Sequence, residues 1–225
     1  MRALQPRGDD PGPSTLRLPN WPKTPLRSKI APSQVIPAAF QNRATGAREA
    51  RLFRWGLVPS WARDLAIGNR LINAQAETAA TKPAFRAAFR KRRCLILADG
   101  FYEWKKEGRY KQPFHIRLRD GHPLALAGLW EHWEGPEDTP IDSCTILTAT
   151  PNMLLRPLHH RMAVILPASA YDRWLDLDVH EVERLQLLLR PYPAEAMTAY
   201  PVSTRVNSPA HDSSALGEPL PPASP

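Results

Sequence analysis

From Cys94 to Leu166 the chain is a succession of short apolar runs with no helical period between them. The runs are Cys94–Ala98, Phe101–Lys105, Pro113–Arg119, Leu124–Trp130, Cys144–Thr148 and Ala163–Leu166, and the pairs Asp99-Gly100, Glu107-Gly108 and Asp120-Gly121 punctuate the first of them. Such pairs suit tight turns, because glycine reaches the positive φ that two-residue hairpins require. Strands joined this way pair antiparallel, whereas a doubly wound fold needs a helix between successive strands. The reading is an α+β single domain with a mostly antiparallel, barrel-like β core flanked by helices.

The clearest helix is expected over Glu77–Arg93, where Phe85 and Phe89 stand at i, i+4 beside Ala84 and Ala88 and give one apolar face. Arg86, Arg90, Lys91, Arg92 and Arg93 crowd its C-terminal half; they either complement the helix dipole or form a phosphate-facing edge. Shorter helices are expected over Ala168–Leu175 and Val179–Leu189. Upstream, Arg51–Val58 reads as a strand closed by a Pro59-Ser60-Trp61 turn, and Ile30–Pro37 as an extended segment. Residues 1–29 are proline-rich and lack periodicity, so they are expected to be disordered or a misassigned N-terminus. The domain proper spans 30–207, with 208–225 as a flexible tail.

A chain of 225 residues with 43% apolar content is long enough for one sizeable core. No stretch approaches the roughly 20 apolar residues of a membrane span, and no signal peptide precedes the domain, so no membrane partner and a cytoplasmic location are expected. Cys94 and Cys144 lie within apolar runs, which suggests buried free thiols rather than a disulfide or metal site. The seven histidines include the adjacent pair His159-His160 but no metal-ligand spacing, and no phosphate loop or nucleophile elbow is present. Neither metal nor cofactor is expected. The net charge of +8 favours polyanionic partners, of which nucleic acid is the commonest.

Four polar residues stand at the ends of apolar runs: Asn73 in Leu-Ile-Asn-Ala, Glu103 in Phe-Tyr-Glu-Trp, and His159 and Arg161 in Leu-His-His-Arg-Met. Strand alternation places Phe101, Glu103 and Lys105 on one face, with Tyr102 and Trp104 on the other. Glu103 is then either a solvated glutamate or a partly desolvated acid/base group. With a histidine that titrates near neutrality and an orienting amide, it would make a proton-transfer set.

These residues sit within Arg54-Trp55-Gly56-Leu57-Val58-Pro59-Ser60-Trp61, Ile72-Asn73-Ala74-x-Ala76-Glu77-Thr78, Arg93-Cys94-Leu95-Ile96, Ala98-Asp99-Gly100-Phe101-Tyr102-Glu103-Trp104 and His159-x-Arg161-Met162, followed by Pro201-Val202-Ser203 and Val206-Asn207. In that order the blocks resemble the SOS-response-associated peptidase (SRAP) family of abasic-site processing proteins, from about Ile30 to about Pro219. The resemblance implies binding of single-stranded DNA at abasic sites and a covalent cross-link through a cysteine directly after the initiator Met. Its α-amine, with a pKa of about 8, forms a Schiff base with the ring-opened sugar, and its thiol closes a thiazolidine ring. By the same resemblance Asn73, Glu103 and His159 surround that amine as the catalytic set, and Arg161 meets a DNA phosphate. Trp55 and Trp61 line the strand's path, and Gln75 stands where the family usually carries a phosphate-binding Arg. A monomer acting on DNA in the nucleoid is implied.

The family begins Met-Cys-Gly-Arg, whereas this sequence begins Met1-Arg2-Ala3-Leu4. Cys94 and Cys144 cannot substitute, because the thiazolidine needs amine and thiol on one residue. Two readings stay open: residues 1–25 come from a misplaced start, or the protein is a non-catalytic, degenerate single-stranded-DNA-binding module. His160 replaces the usual Asp or Asn, a change with no physical account.

Overall fold

The structure, a computed structural model, describes residues 2–3 (as backbone), 16, 18, 21–22, 29–136, 139–208 and 211–221. Its strands are β1 (Arg2–Ala3), β2 (Val35–Gln41), β3 (Arg48–Trp55), β4 (Asn73–Gln75), β5 (Arg93–Glu107), β6 (Tyr110–Leu118), β7 (Leu124–Glu134), β8 (Pro140–Ala149), β9 (Met162–Ala163) and β10 (Met197–Pro201). Four short helices accompany them: α1 (Ala76–Ala79), α2 (Arg86–Lys91), α3 (Tyr171–Leu175) and α4 (Val182–Gln186).

Five strands close a ring. β5 pairs with β2, β2 with β3, β3 with β8, β8 with β7, and β7 returns to β5. All these ladders are antiparallel except β3–β8, and β4 also joins β8 in parallel. The mostly antiparallel reading therefore holds, in a mixed α/β domain with a large sheet and few helices. The ring forms because successive residues face opposite ways. Leu95 and Leu97 of β5 pack under the helices with Phe85, Phe89 and Trp174, while Cys94, Ile96 and Ala98 join Phe40, Phe53 and Ile146 on the other face. There Phe40, Phe53 and Trp130 pack with ring centroids 5.1–5.8 Å apart.

The expected Asp99-Gly100 turn does not exist. β5 runs unbroken for 15 residues through both positions. Its first half belongs to the ring, pairing Cys94–Ala98 with β7, and its second half leaves the ring to pair Phe101–Glu107 with β6. Gly100 serves close approach rather than turning: a Cβ there would stand 2.4 Å from His115 Nε2 and 2.5 Å from the Ile116 carbonyl oxygen. Gly100→Ala is therefore expected to destabilise the fold by about 2 kcal/mol, read as a lowered denaturant midpoint at unchanged slope. The other two turns are as read, with Gly108 at φ 60° and Gly121 at φ 82°.

The single long helix expected over Glu77–Arg93 is two short ones. Pro83 has no N–H to donate to the Ala79 carbonyl, so α1 ends and α2 restarts at Arg86. Phe85 and Phe89 are buried as their spacing implies. The basic edge is only partly exposed. Arg86, Arg90 and Lys91 are exposed, but Arg92 pairs with Glu131 at 2.6 Å and Arg93 is fully buried.

Most of residues 1–29 lies outside the described residues. Within it, Arg2 pairs with Gly100 and Ala3 with Ala98, while Leu16 is buried under the helices. Beyond Ser208, Leu216 is buried against Tyr102, Val202 and Val206, and Pro219 bridges to Val202. No helix among the described residues is long and apolar enough to cross a membrane.

Candidate functional site

A cavity of about 340 Å³ opens where β5 leaves the ring. Its floor is apolar, with Ile30, Trp55, Ile72, Leu126, Ile146 and Met162 among its walls, and its polar groups are Lys29, Asn73, Glu103, Thr148, His159 and Arg161. Mostly apolar walls with a few convergent polar groups are the usual form of a ligand site.

Asn73 arrives as the first residue of β4, which lies parallel to β8 with Asn73 opposite Ile146. The Trp55 indole N–H donates to the Ile72 carbonyl at 2.8 Å and fixes the approach of that strand. Glu103 comes from β5, opposite Phe114 of β6, and its side chain is 21% exposed. Burial pushes its carboxyl above the ordinary range, against the opposing pull of His159.

His159 is delivered by a capped turn. The Asn152 side chain accepts from Leu155 N at 3.0 Å and donates to the Tyr192 carbonyl at 2.7 Å, and His159 N donates to the Leu155 carbonyl at 3.0 Å. This brings His159 Nδ1 to 3.9 Å from Glu103 Oε2. The same nitrogen lies 3.2 Å from the Arg161 amide N–H and 3.0 Å from the Arg161 carbonyl. The backbone of Arg161 thus donates to a bare Nδ1 and accepts from a protonated one, so the ring is held in place in either state. A half-buried carboxyl with a raised pKa beside a histidine is an arrangement that can exchange protons.

Arg161 does not stand open. Its Nη1 and Nη2 reach the two carboxylate oxygens of Glu77 at 2.9 and 2.8 Å, and Nη2 also donates to the Thr148 carbonyl. The guanidinium in turn holds the Glu77 carboxyl below the ordinary range. Glu77, Thr148 and Lys29 were not singled out from the sequence. Glu77 lay within the Asn-Ala-x-Ala-Glu-Thr block, read only as the start of a helix, while Thr148 and Lys29 carried no signal.

The remaining expected residues divide. Trp55 lines the cavity. Gln75 is exposed on the same face of β4 as Asn73 but outside the lining. Trp61 is 60% exposed and borders a separate surface depression with Arg63, Asp64 and Arg70. Cys94 and Cys144 are free and fully buried, and burial pushes both thiols up, so neither offers a thiolate to the cavity. Among the described residues no group of three His, Cys, Asp or Glu side chains converges as a metal site would require.

Known proteins share this construction. A sequence model of the SOS response associated peptidase (SRAP) family matches residues 17–209. The chain is 45% identical over 190 residues to the abasic site processing protein YoqW of Bacillus subtilis (strain 168), covering 84% of each. It is 34% identical over 183 residues to the abasic site processing protein HMCES of Gallus gallus, covering 71% of this chain and 54% of that one. Among solved structures, a protein from Bordetella bronchiseptica superposes with a TM-score of 0.74 at 28% identity, over 90% of this chain and 98% of its own. One from Bacteroides thetaiotaomicron gives 0.74 at 27%, over 84% and 82%. On its match across nearly the whole domain, this chain belongs to the SOS response associated peptidase family.

Proposed function

We propose that the cavity receives an abasic site of single-stranded DNA and that Glu103, His159 and Asn73 move protons and orient groups at the opened sugar. The observation that carries this reading is the Glu103–His159 approach at 3.9 Å inside a largely apolar cavity. A base-less sugar is small enough to enter a space of about 340 Å³. Apolar walls exclude water and strengthen the electrostatics of the few polar groups. The basic charge of the chain and the names of its relatives support DNA as the partner. The protein acts as a monomer, in the cytoplasm at the nucleoid.

Covalent capture, by the family resemblance, requires amine and thiol on one residue. The strand register puts the backbone of residue 2 opposite Gly100, three residues from Glu103 on β5. That residue is Arg2 in this sequence. The test incubates the protein, and an Arg2→Cys variant processed to expose that cysteine, with abasic and intact single strands. The protein is expected to prefer the abasic strand without a heat-stable band on a denaturing gel, and the variant to give that band. Absence of any preference for the abasic strand, in either protein, would falsify the reading.

Arg161 supplies a second expected result. As it stands its fork is occupied by Glu77, so a phosphate has to displace that carboxylate. Glu77→Gln keeps the shape but removes the competing charge. Single-stranded DNA is expected to bind about two- to fivefold tighter at low salt, with the gain fading as salt is raised. Titration by fluorescence anisotropy across a salt series measures it. Weaker binding would mean that Glu77 orients Arg161 rather than competing for it.

A further inference from the structure

Among the described residues that line the cavity, Lys29 is the one with a primary amine. Its stretch of backbone is held at three points. The Lys29 N–H donates to Asp212 Oδ1 at 3.2 Å, the Ala31 N–H to Gln34 Oε1 at 2.9 Å, and the Ser33 N–H to the Trp55 carbonyl at 2.7 Å. Ile30, between the first two, is 3% exposed and belongs to the same buried cluster as Phe101 and Ile146. The lysine therefore springs from a fixed wall, which favours a repeatable approach to anything bound there. Its Nζ donates to the Ser208 carbonyl at 3.2 Å, and an ammonium has two more hydrogens to place. Among the described residues no carboxylate pairs with it, so an ion pair does not account for a lysine at this wall. The chemistry of the cavity does. A ring-opened abasic sugar carries an aldehyde at C1′ that an intact nucleotide lacks, and a primary amine condenses with an aldehyde. Arg161 cannot take this part, because a guanidinium keeps its proton.

We propose that Lys29 is a nucleophile toward the ring-opened sugar, forming a reversible imine through Nζ in a chain whose second residue, Arg2, carries no thiol. The Nζ ammonium first gives one proton to Glu103 or His159, which share the cavity with it. The freed lone pair forms the Nζ–C1′ bond while the carbonyl π electrons move to oxygen, and a second proton passes from nitrogen to that oxygen. The group that took the first proton returns it to the new hydroxyl, which leaves as water while nitrogen forms the double bond. One ammonium and one aldehyde thus give one protonated imine and one water, with no oxidant or reductant. Water reverses the same steps, because no thiol closes a ring on the carbon. The proposal rests on the reading of the cavity as an abasic-site pocket, since it is that lesion which brings an aldehyde to Nζ.

The test mixes the full-length protein with an abasic or an intact single strand, reduces with sodium cyanoborohydride, and runs a denaturing gel. The adduct is digested and its site read by mass spectrometry, while fluorescence anisotropy measures binding of the two strands in parallel. A heat-stable band is expected with the abasic strand alone, and only after reduction, with the modification on Lys29. Lys29→Arg keeps a cation that can serve the Ser208 carbonyl but forms no imine, so it should lower the band at least about tenfold while the abasic strand still binds. Lys105→Arg, on the exposed hairpin and paired with Glu107, should leave the band unchanged. Mapping the adduct on the unmodified protein makes the result independent of how well either variant folds. A band undiminished in Lys29→Arg, or an adduct on the chain's α-amine or on other lysines, would overturn the role of Lys29. So would the absence of a band from a protein that still prefers the abasic strand by anisotropy, in which case the pocket stands and the nucleophile falls. With no preference and no band, the pocket reading falls and Lys29 with it.

Discussion

In the Arg2→Cys background processed to expose that cysteine, Glu103→Gln is expected to slow cross-linking to an abasic strand about 100- to 10,000-fold while the fold persists. The amide keeps the size and hydrogen-bonding reach of the side chain but cannot exchange a proton with His159 3.9 Å away. A glutamate that merely shaped the pocket would lose far less on this change, so single-turnover kinetics on a labelled abasic oligonucleotide discriminate the two roles. Stability should move the other way. Burial raises the carboxyl's pKa in the folded protein above its unfolded value, so between those two values the native state holds the extra proton. Stability from this group is therefore full at acid pH and declines as pH rises through the folded pKa. Gln carries no charge to bury, so at neutral pH Glu103→Gln should melt higher than the parent, and the difference should close below the ordinary carboxylate range. Thermal melts at pH 3 and pH 7.5 measure it. A variant less stable at both would show that the carboxylate is held by favourable contacts rather than desolvated.

Arg93→Met is expected to cost about 4 kcal/mol, a larger stability loss than that of Gly100→Ala, lowering Tm by roughly 10 °C. Arg93 is fully buried, makes no ion pair among the described residues although the Asp176 charge acts on it from further off, and its donors reach carbonyl oxygens at two helix ends. Nη1 serves Phe89 at 2.9 Å and Arg90 at 3.0 Å at the end of α2, and Nε serves Trp174 at 2.7 Å at the end of α3. Nη2 bonds the Asp176 carbonyl and lies 3.4 Å from that of Val179. Helix ends leave carbonyls unpaired, and one guanidinium satisfies both sets at once. Burial lowers its pKa to about 10, still far enough above neutrality to remain a cation. Methionine fills the volume and strands those acceptors in an apolar core. Arg93→Lys, with fewer donors and no fork, should recover only part of the loss. Equilibrium unfolding in guanidinium orders the three proteins. A methionine variant within about 1 kcal/mol of the parent would mean that water reaches those carbonyls.

What the sequence made legible follows from which interactions are local. The alternation of β5–β8 was readable because a strand's two faces alternate whatever it pairs with, and Asn73, Glu103 and His159, which meet in one cavity, were readable as candidates from their positions at the ends of apolar runs. The turn at Asp99-Gly100 was misread because its real constraint comes from His115 and Ile116, fifteen and sixteen residues further along the chain, and a close approach leaves no trace in dipeptide chemistry. Arg93 was read as helix-end charge because the carbonyls it serves at Trp174 and Asp176 are more than eighty residues away. The Glu77–Arg161 pair was hidden for the same reason, spanning 84 positions. Trp61 looked like a partner of Trp55 in sequence, but the turn at Pro59 carries it to another surface.

β5 pairs with β1, β2 and β7 along its first half and with β6 along its second, with Glu103 just beyond the point where it passes from one set of ladders to the other. No one of these ladders can open without disturbing the strand they share. Amide protons on both halves of β5 are therefore expected to exchange through one cooperative opening, and a molecule that loosens anywhere along this strand loses the Glu103–His159 approach in the same event.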